Sequence, residues 1–227
     1  MQQNVPLYWS RQGILLEKYC PVRSEMIADE VPNDALEISE GNLSNVQDRS
    51  VLLSRAHHFV RPFTFYQSFT YDVLDRVPLE SIFLWSPEVR DRAKDILDWP
   101  FGTFTSVHVR LGDKFLETDK RYVLCTEDQR NLDEASLRHF VLAQEKPFLF
   151  FCDNNSYRHM VASWSPHVTL LQCSVGHTSL SNTTETQYLD ALVEMYIMSQ
   201  SETIVSFTNS GFSIVASKFV PCSYVRM

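Results

Sequence analysis

Three short clusters of the sequence carry residue types that suit one ligand chemistry. The first, His108-Val109-Arg110-Leu111-Gly112-Asp113-Lys114, sets an imidazole, a guanidinium and a carboxylate close together around a glycine. Arg is the natural partner of a diphosphate, because its planar fork offers paired charge-assisted hydrogen bonds and stays charged near neutrality. The same guanidinium would equally serve a salt bridge to Asp113, three residues on. The second cluster, Cys152-Asp153-Asn154-Asn155, presents an acid that could accept from ribose hydroxyls, or a polar run that simply caps a following helix. The third, Ser206-Phe207-Thr208-Asn209-Ser210-Gly211-Phe212-Ser213, leads into a helix. A helix N-terminus offers unpaired N–H groups and about half a positive charge to an anion. Four hydroxyls and Asn209 add donors, and Gly211 permits close approach of backbone to ligand; an ordinary helix cap would use the same residues.

These clusters matter only if the fold brings them together, and the pattern around them puts each at a strand end of one inferred sheet, from which they could converge. Strands are expected at 103–110, 148–152, 168–172 and 203–207, alternating with helices at 133–144, 155–164, 184–200 and 210–219. Short β-rich runs alternating with amphipathic segments mark a parallel sheet with helices on its faces. Leu189, Leu192, Val193, Tyr196 and Ile197 recur at three- and four-residue spacing and give the 184–200 helix one buried face. Each chemical cluster follows a strand directly, and such sheets bind ligands at the carboxyl ends of their strands. Before this region, Ser86 and Pro87 begin a helix that runs to Trp99-Pro100. The expected division is a reduced lobe at 1–100 and a Rossmann-like lobe at 101–227.

Bulk properties exclude several classes. With 44% hydrophobic residues among 227, the chain can bury one core or two small ones. A formal charge of -8 and no run of Lys or Arg argue against nucleic-acid or anionic-membrane partners. No apolar stretch approaches the roughly 20 residues that span a bilayer, and MQQNVPLYWSRQ lacks the pattern of a signal peptide. The expectation is a soluble protein, cytoplasmic or the soluble part of a longer chain. The 5 cysteines contain no C-x-x-C pair and read as reduced thiols. Asn-x-Ser/Thr matches at Asn42, Asn154 and Asn182 are too short a pattern to weigh. No Asp-x-Asp motif occurs, so a metal-bridged diphosphate is not supported, and Arg110 with the last helix dipole would neutralise a leaving phosphate instead. A Ser or Cys hydrolase lacks both its G-x-S-x-G elbow and a Cys beside a His base.

The motif HVRLGDK (108–114), the crest FFCDN (150–154) and the ending MYIMSQSETIVSFTNSGFSIVASKF (195–219) resemble, in order and spacing, the three nucleotide-binding motifs of the α-1,2- and α-1,6-fucosyltransferases. The resemblance spans residues 104–219, and FYQSFTYDVLDRV (65–77) resembles the α-1,2 group more faintly. It implies an α/β, GT-B-like enzyme with a Rossmann-like C-terminal donor lobe and a smaller, atypical N-terminal lobe, which moves a sugar from a nucleotide diphosphate to a glycan acceptor with inversion and without metal. By resemblance Arg110 binds the donor diphosphate, His108 sits beside the donor, Asp113 fixes the loop, Asp153 lies at the ribose side, and Ser206, Thr208, Asn209, Ser210, Gly211, Phe212 and Ser213 hold phosphate.

Two departures bear on the donor and the first lobe. Where the α-1,6 enzymes read guanine with a carboxylate at the end of the third strand, this chain has Cys173 and Ser174. GDP-fucose and a UDP-sugar such as UDP-xylose therefore both remain as donors. MQQNVPLYWSRQ shows neither the strand nor the glycine-rich loop with which the family begins. Inversion needs a base on the acceptor hydroxyl, and the candidates are Glu117, after the first motif, and Asp72 of the first lobe. The alternative to an enzyme is a catalytically silent nucleotide-sugar or glycan-binding module. Arg110→Ala is expected to abolish turnover and leave the fold intact.

Overall fold

The computed structural model describes residues 18–21, 23, 79–81, 83–115, 129–174, 176, 183–220 and 222–227, with the backbone of three short strands at 7–9, 36–38 and 58–60. The chain divides into two compact units, Met1–Ser86 and Pro87–Met227. Among the described residues no helix is long and apolar enough to cross a membrane.

In the first unit, β1 (Leu7–Trp9), β2 (Leu36–Ile38) and β3 (His58–Val60) form a parallel sheet in the order β1-β3-β2, with Leu7 and Leu36 both opposite His58. This corrects the expectation that MQQNVPLYWSRQ holds no strand. Three residues are too few to show an alternating pattern, and β1 exists through its pairing with β3, far along the chain. The end of the unit runs beside an earlier segment, Leu84 N–H donating to Pro21 O at 2.9 Å and Ser86 N–H to Tyr19 O at 2.9 Å. Asp72 and the FYQSFTYDVLDRV segment lie outside the described residues.

The second unit opens with α1 (Pro87–Ile96), Pro87 standing at its first position as expected. The sequence placed this helix before the division; here it packs against a later helix of the second unit and so belongs to it. Then follow β4 (Thr105–Val109), α2 (Glu134–Ala143), β5 (Phe148–Cys152), α3 (Asn155–Ala162), β6 (Val168–Thr169), α4 (Glu185–Ser199), β7 (Thr203–Ser206), α5 (Gly211–Phe219) and β8 (Ser223–Arg226). The strands form one parallel sheet in the order β6-β5-β4-β7-β8. The fold is therefore α/β, with the alternating architecture expected.

Alternation along the strands divides the sheet into two faces. Val107, Val109, Phe148, Phe150, Cys152, Val205 and Phe207 pack with Leu137 and Val141 of α2 and Val161 of α3. The opposite face carries α4, which packs against both α1 and α5. Right-handed crossovers account for this arrangement: β4, β5 and β6 progress in one direction along the sheet, whereas β7 and β8 progress in the other. The strand order thus reverses between β4 and β7, the topological switch point of the sheet.

Each helix start is chemically marked. Asp133 caps α2 by accepting from Ser136 N–H, Asn154 caps α3 by accepting from Tyr157 N–H, and Ser210 caps α5 by accepting from Phe212 N–H. Thr184 and Gln187 form a reciprocal capping box on α4. From Leu192 to Ser199, α4 is buried all round rather than along one stripe, because the sheet, α1 and α5 enclose it.

Candidate functional site

The register of the parallel sheet sets the first and third clusters beside each other. β4 pairs with β7 so that His108 stands opposite Ser206. Beyond the last ladder residues the two chains stay joined: Phe207 N–H donates to His108 O at 3.1 Å, and Arg110 N–H donates to Thr208 Oγ1 at 2.7 Å. On the other side β5 pairs with β4, Cys152 opposite Val109, which delivers Asp153 to the turn that follows Arg110. All three clusters therefore meet at the carboxyl end of the central strands.

Arg110 is the hub of this meeting. Its Nη2 pairs with Asp113 Oδ1, and its Nη1 lies 3.0 Å from Asp153 Oδ2. The pairing with Asp113 that the sequence offered as a surface salt bridge is present but is not on the surface: the side chains are 15% and 6% exposed, and that of Asp153 is 11% exposed. Asp153 does more than pair with Arg110. Its Oδ1 accepts from Leu111 N–H at 2.8 Å and its Oδ2 from Gly112 N–H at 3.0 Å. The turn needs this hold, since Gly112 takes φ of 104°, a conformation that favours glycine. Asp153 thus holds the loop from the crest of β5, and Asp113 holds the guanidinium from within the loop. Capping of the next helix falls to Asn154, which also donates to Phe115 O at 2.6 Å.

The β7–α5 loop brings its hydroxyls together, but mostly for its own architecture. Ser206 Oγ donates to Thr208 O at 2.9 Å and lies 3.2 Å from Ser213 Oγ, which in turn lies 3.3 Å from Tyr224 Oη. Ser206, Thr208, Ser210 and Ser213 are all buried, whereas Asn209 is exposed and Gly211 and Phe212 are half-buried. Thr208 Oγ1 and Ser210 Oγ are used as acceptors, from Arg110 N–H and Phe212 N–H, and Asn209 is the exposed side chain of the loop. Tyr224 comes from β8, a strand absent from the sequence expectation because its four residues follow α5 without an alternating pattern.

His108 completes the site. Its ring, 4% exposed, stacks on Phe212 with centroids 5.8 Å apart, and its Nδ1 is buried without a hydrogen-bond partner among the described residues. Burial, then the charges of Arg110 and Arg158, lower its pKa to about 3. The imidazole is accordingly neutral at physiological pH, an acceptor or donor without charge.

The end of the third strand is shorter than expected, β6 closing at Thr169. Burial, then Glu194 and Asp190, push the Cys173 thiol far above its usual range, so the segment beyond β6 carries a neutral S–H. Beside it Ser174 N–H donates to Asp190 Oδ2 at 2.8 Å, and Arg92 lies 3.6 Å from Asp190 Oδ1. Arg158, reaching from α3, donates to Cys152 O at 2.8 Å and pairs with Glu194 of α4, a buried bridge between the two helical layers. Arg158, Asp190 and Glu194 went unremarked in the sequence. The signal was there in part: Asp190 and Glu194 are two acids at four-residue spacing inside the apolar run of α4, where buried charges require cations.

Glu117 lies outside the described residues, as does Asp72, so neither candidate base has a place in this geometry. Among the described residues no group of three or more His, Cys, Asp and Glu side chains could hold a metal ion.

Comparison with known proteins gives similarity of structure only. No protein-family model matches the sequence, and no curated protein matches it. Among solved structures, the chain is similar to NodZ α-1,6-fucosyltransferase co-crystallised with GDP, at TM-score 0.47 and 14% identity, over 88% of this chain and 63% of that one. It is similar to POFUT1 in complex with GDP-fucose at TM-score 0.43 and 13% identity, over 75% and 53% of the respective chains. The fucosyltransferase NodZ from Bradyrhizobium gives TM-score 0.42 and 14% identity, over 88% and 64%. The chain thus spans less than two thirds of the length of each of these structures.

Proposed function

We propose that this chain is a nucleotide-sugar-dependent glycosyltransferase of GT-B type, in which the donor diphosphate lies over the switch point between β4 and β7. The observation that carries this reading is the junction at Arg110, whose backbone N–H is tied to Thr208 at the approach to α5 and whose guanidinium is held at the crest of β5. An anion at that point would meet a guanidinium and the positive end of a nine-residue helix. The motif resemblance supports the same placement.

In the proposed reaction an acceptor hydroxyl attacks the anomeric carbon as the bond from that carbon to the diphosphate oxygen breaks, which inverts the configuration. A carboxylate, Glu117 or Asp72, takes the hydroxyl proton. Arg110 and the N-terminus of α5 stabilise the charge that develops on the departing diphosphate, so the scheme requires no metal. The neutral His108 lies beside them as an uncharged hydrogen-bonding group. GDP and UDP donors are both compatible with the Cys173–Ser174 segment beyond β6, which has no carboxylate of its own.

The test is calorimetric titration of the purified chain with GDP and with UDP, followed by nucleotide release from GDP-fucose and UDP-xylose in the presence of candidate glycans. The expected result is binding of one nucleotide and its release from the matching donor, both reduced in Arg110→Lys, which keeps the charge and loses the fork. Binding without release from any donor would favour a silent binding module. Binding of neither nucleotide would refute the proposal.

A further inference from the structure

We infer that Asp153 is a positioning residue, acting on the donor only through Arg110 and the turn behind it. This rests on the diphosphate reading of Arg110. A carboxylate has about four lone-pair sites, and three of those on Asp153 meet nitrogen donors: Leu111 N–H at 2.8 Å, Gly112 N–H at 3.0 Å and Arg110 Nη1 at 3.0 Å, while Cys152 Sγ donates weakly to Oδ1 at 3.5 Å. Each contact removes one freedom. The two backbone bonds hold the turn in which Gly112 has φ of 104°, and the third holds the guanidinium of a long side chain that would otherwise sample many rotamers. Asp153 is itself held, as the residue that follows β5, and its neighbour Asn154 independently caps α3.

The consequence for binding is entropic. An Arg that must be ordered when the diphosphate arrives loses rotamer freedom at that moment, whereas here the ordering is complete in the free protein. That difference amounts to about ten- to thirty-fold in affinity. Asp153→Asn removes the charge and turns one acceptor into an NH2 group. Whichever way the amide is flipped, at least one of the three donors then faces another donor. Because Asn154 keeps the start of α3, the substitution leaves the helix cap in place.

The experiment is a four-protein cycle of the full chain, comprising the wild type, Asp153→Asn, Arg110→Lys and the double variant. Affinity for GDP and UDP is read by calorimetry and the Arg110 side-chain Nε–H signal by NMR. The expected result is a ten- to thirty-fold loss of affinity in Asp153→Asn that is largely absent when Arg110 is already Lys, with the Nε–H signal of Arg110 lost or exchange-broadened in Asp153→Asn. An equal loss in both backgrounds would show that Asp153 touches the ligand itself and would overturn the inference. So would no loss at all. If the wild type binds neither nucleotide, the proposed function fails, and the Arg110 signal decides alone: persistence of a sharp Nε–H resonance in Asp153→Asn overturns positioning, and its disappearance supports it. Should Asp153→Asn fail to fold, Asp153→Glu, which keeps the charge one methylene further out, takes its place with the same expected signs.

Discussion

Arg110→Ala is expected to destabilise the second unit, which departs from the sequence expectation of an intact fold. Truncation removes the cation from two carboxylates whose side chains are only 6% and 11% exposed. Breaking a buried pair from one side typically costs about 3–5 kcal/mol, because the remaining charge stays desolvated and loses that counter-ion. Asp153 keeps its bonds from Leu111 and Gly112, so the lower end of that range, about 3 kcal/mol, is the reasoned magnitude. For a domain of this size that corresponds to a fall of roughly 6–12 °C in the unfolding midpoint. The assay is thermal unfolding followed by circular dichroism for the wild type, Arg110→Ala, Asp113→Asn and the double variant. The double variant should recover part of the loss, since removing the Asp113 charge removes part of the imbalance that Arg110→Ala creates. An Arg110→Ala midpoint within about 1 °C of wild type would refute the reasoning, because it would mean that the three side chains form no coupled, desolvated group.

Two further outcomes follow from the same site. His108 has a folded pKa of about 3 against an ordinary value of 6.5, so the unfolded chain binds the extra proton between those limits. Its contribution is complete above pH 6.5 and is lost as the pH falls toward 3; from pH 7 to pH 5 the loss is about 2 kcal/mol. Urea unfolding of wild type and His108→Gln at both pH values checks this, and an unchanged difference between the two proteins would count against a buried neutral imidazole. If Glu117 is the base, Glu117→Gln lowers kcat by about 10²- to 10⁴-fold with nucleotide affinity unchanged, and Asp72→Asn does so if the base is Asp72. Steady-state kinetics with the donor identified by the release assay distinguishes them, and full activity in both variants would remove both residues from the mechanism.

Local chemistry made much of this protein legible from its residues alone. β5 occupies the expected 148–152 to the residue, because four large apolar side chains and a cysteine in succession between polar turns suit a strand covered on both faces. The helix starts at Asp133, Thr184 and Ser210 were likewise readable, since a cap is a bond between a side chain and a backbone group two or three residues away. The clustering of His108, Arg110, Asp113, Asp153 and Ser206–Ser213 at strand ends followed from the alternation of strands and helices.

Tertiary structure alone decided what each of those groups bonds to. Only the β4–β5 and β4–β7 pairings place Asp153 under the Arg110 turn and Thr208 beside its N–H, and no spacing within one segment encodes such distances. The strands β1 and β8 exist by pairing with partners elsewhere, so their own three or four residues carry too little pattern to show them. Burial is decided in the same way. The hydroxyls of Ser206 and Ser213 and the charges of Arg158, Asp190 and Glu194 are polar by type, and only the enclosing layers turn them from surface groups into internal bonds. A sequence fixes which groups can bond and how the near ones meet; long-range packing fixes which of them are left for a ligand.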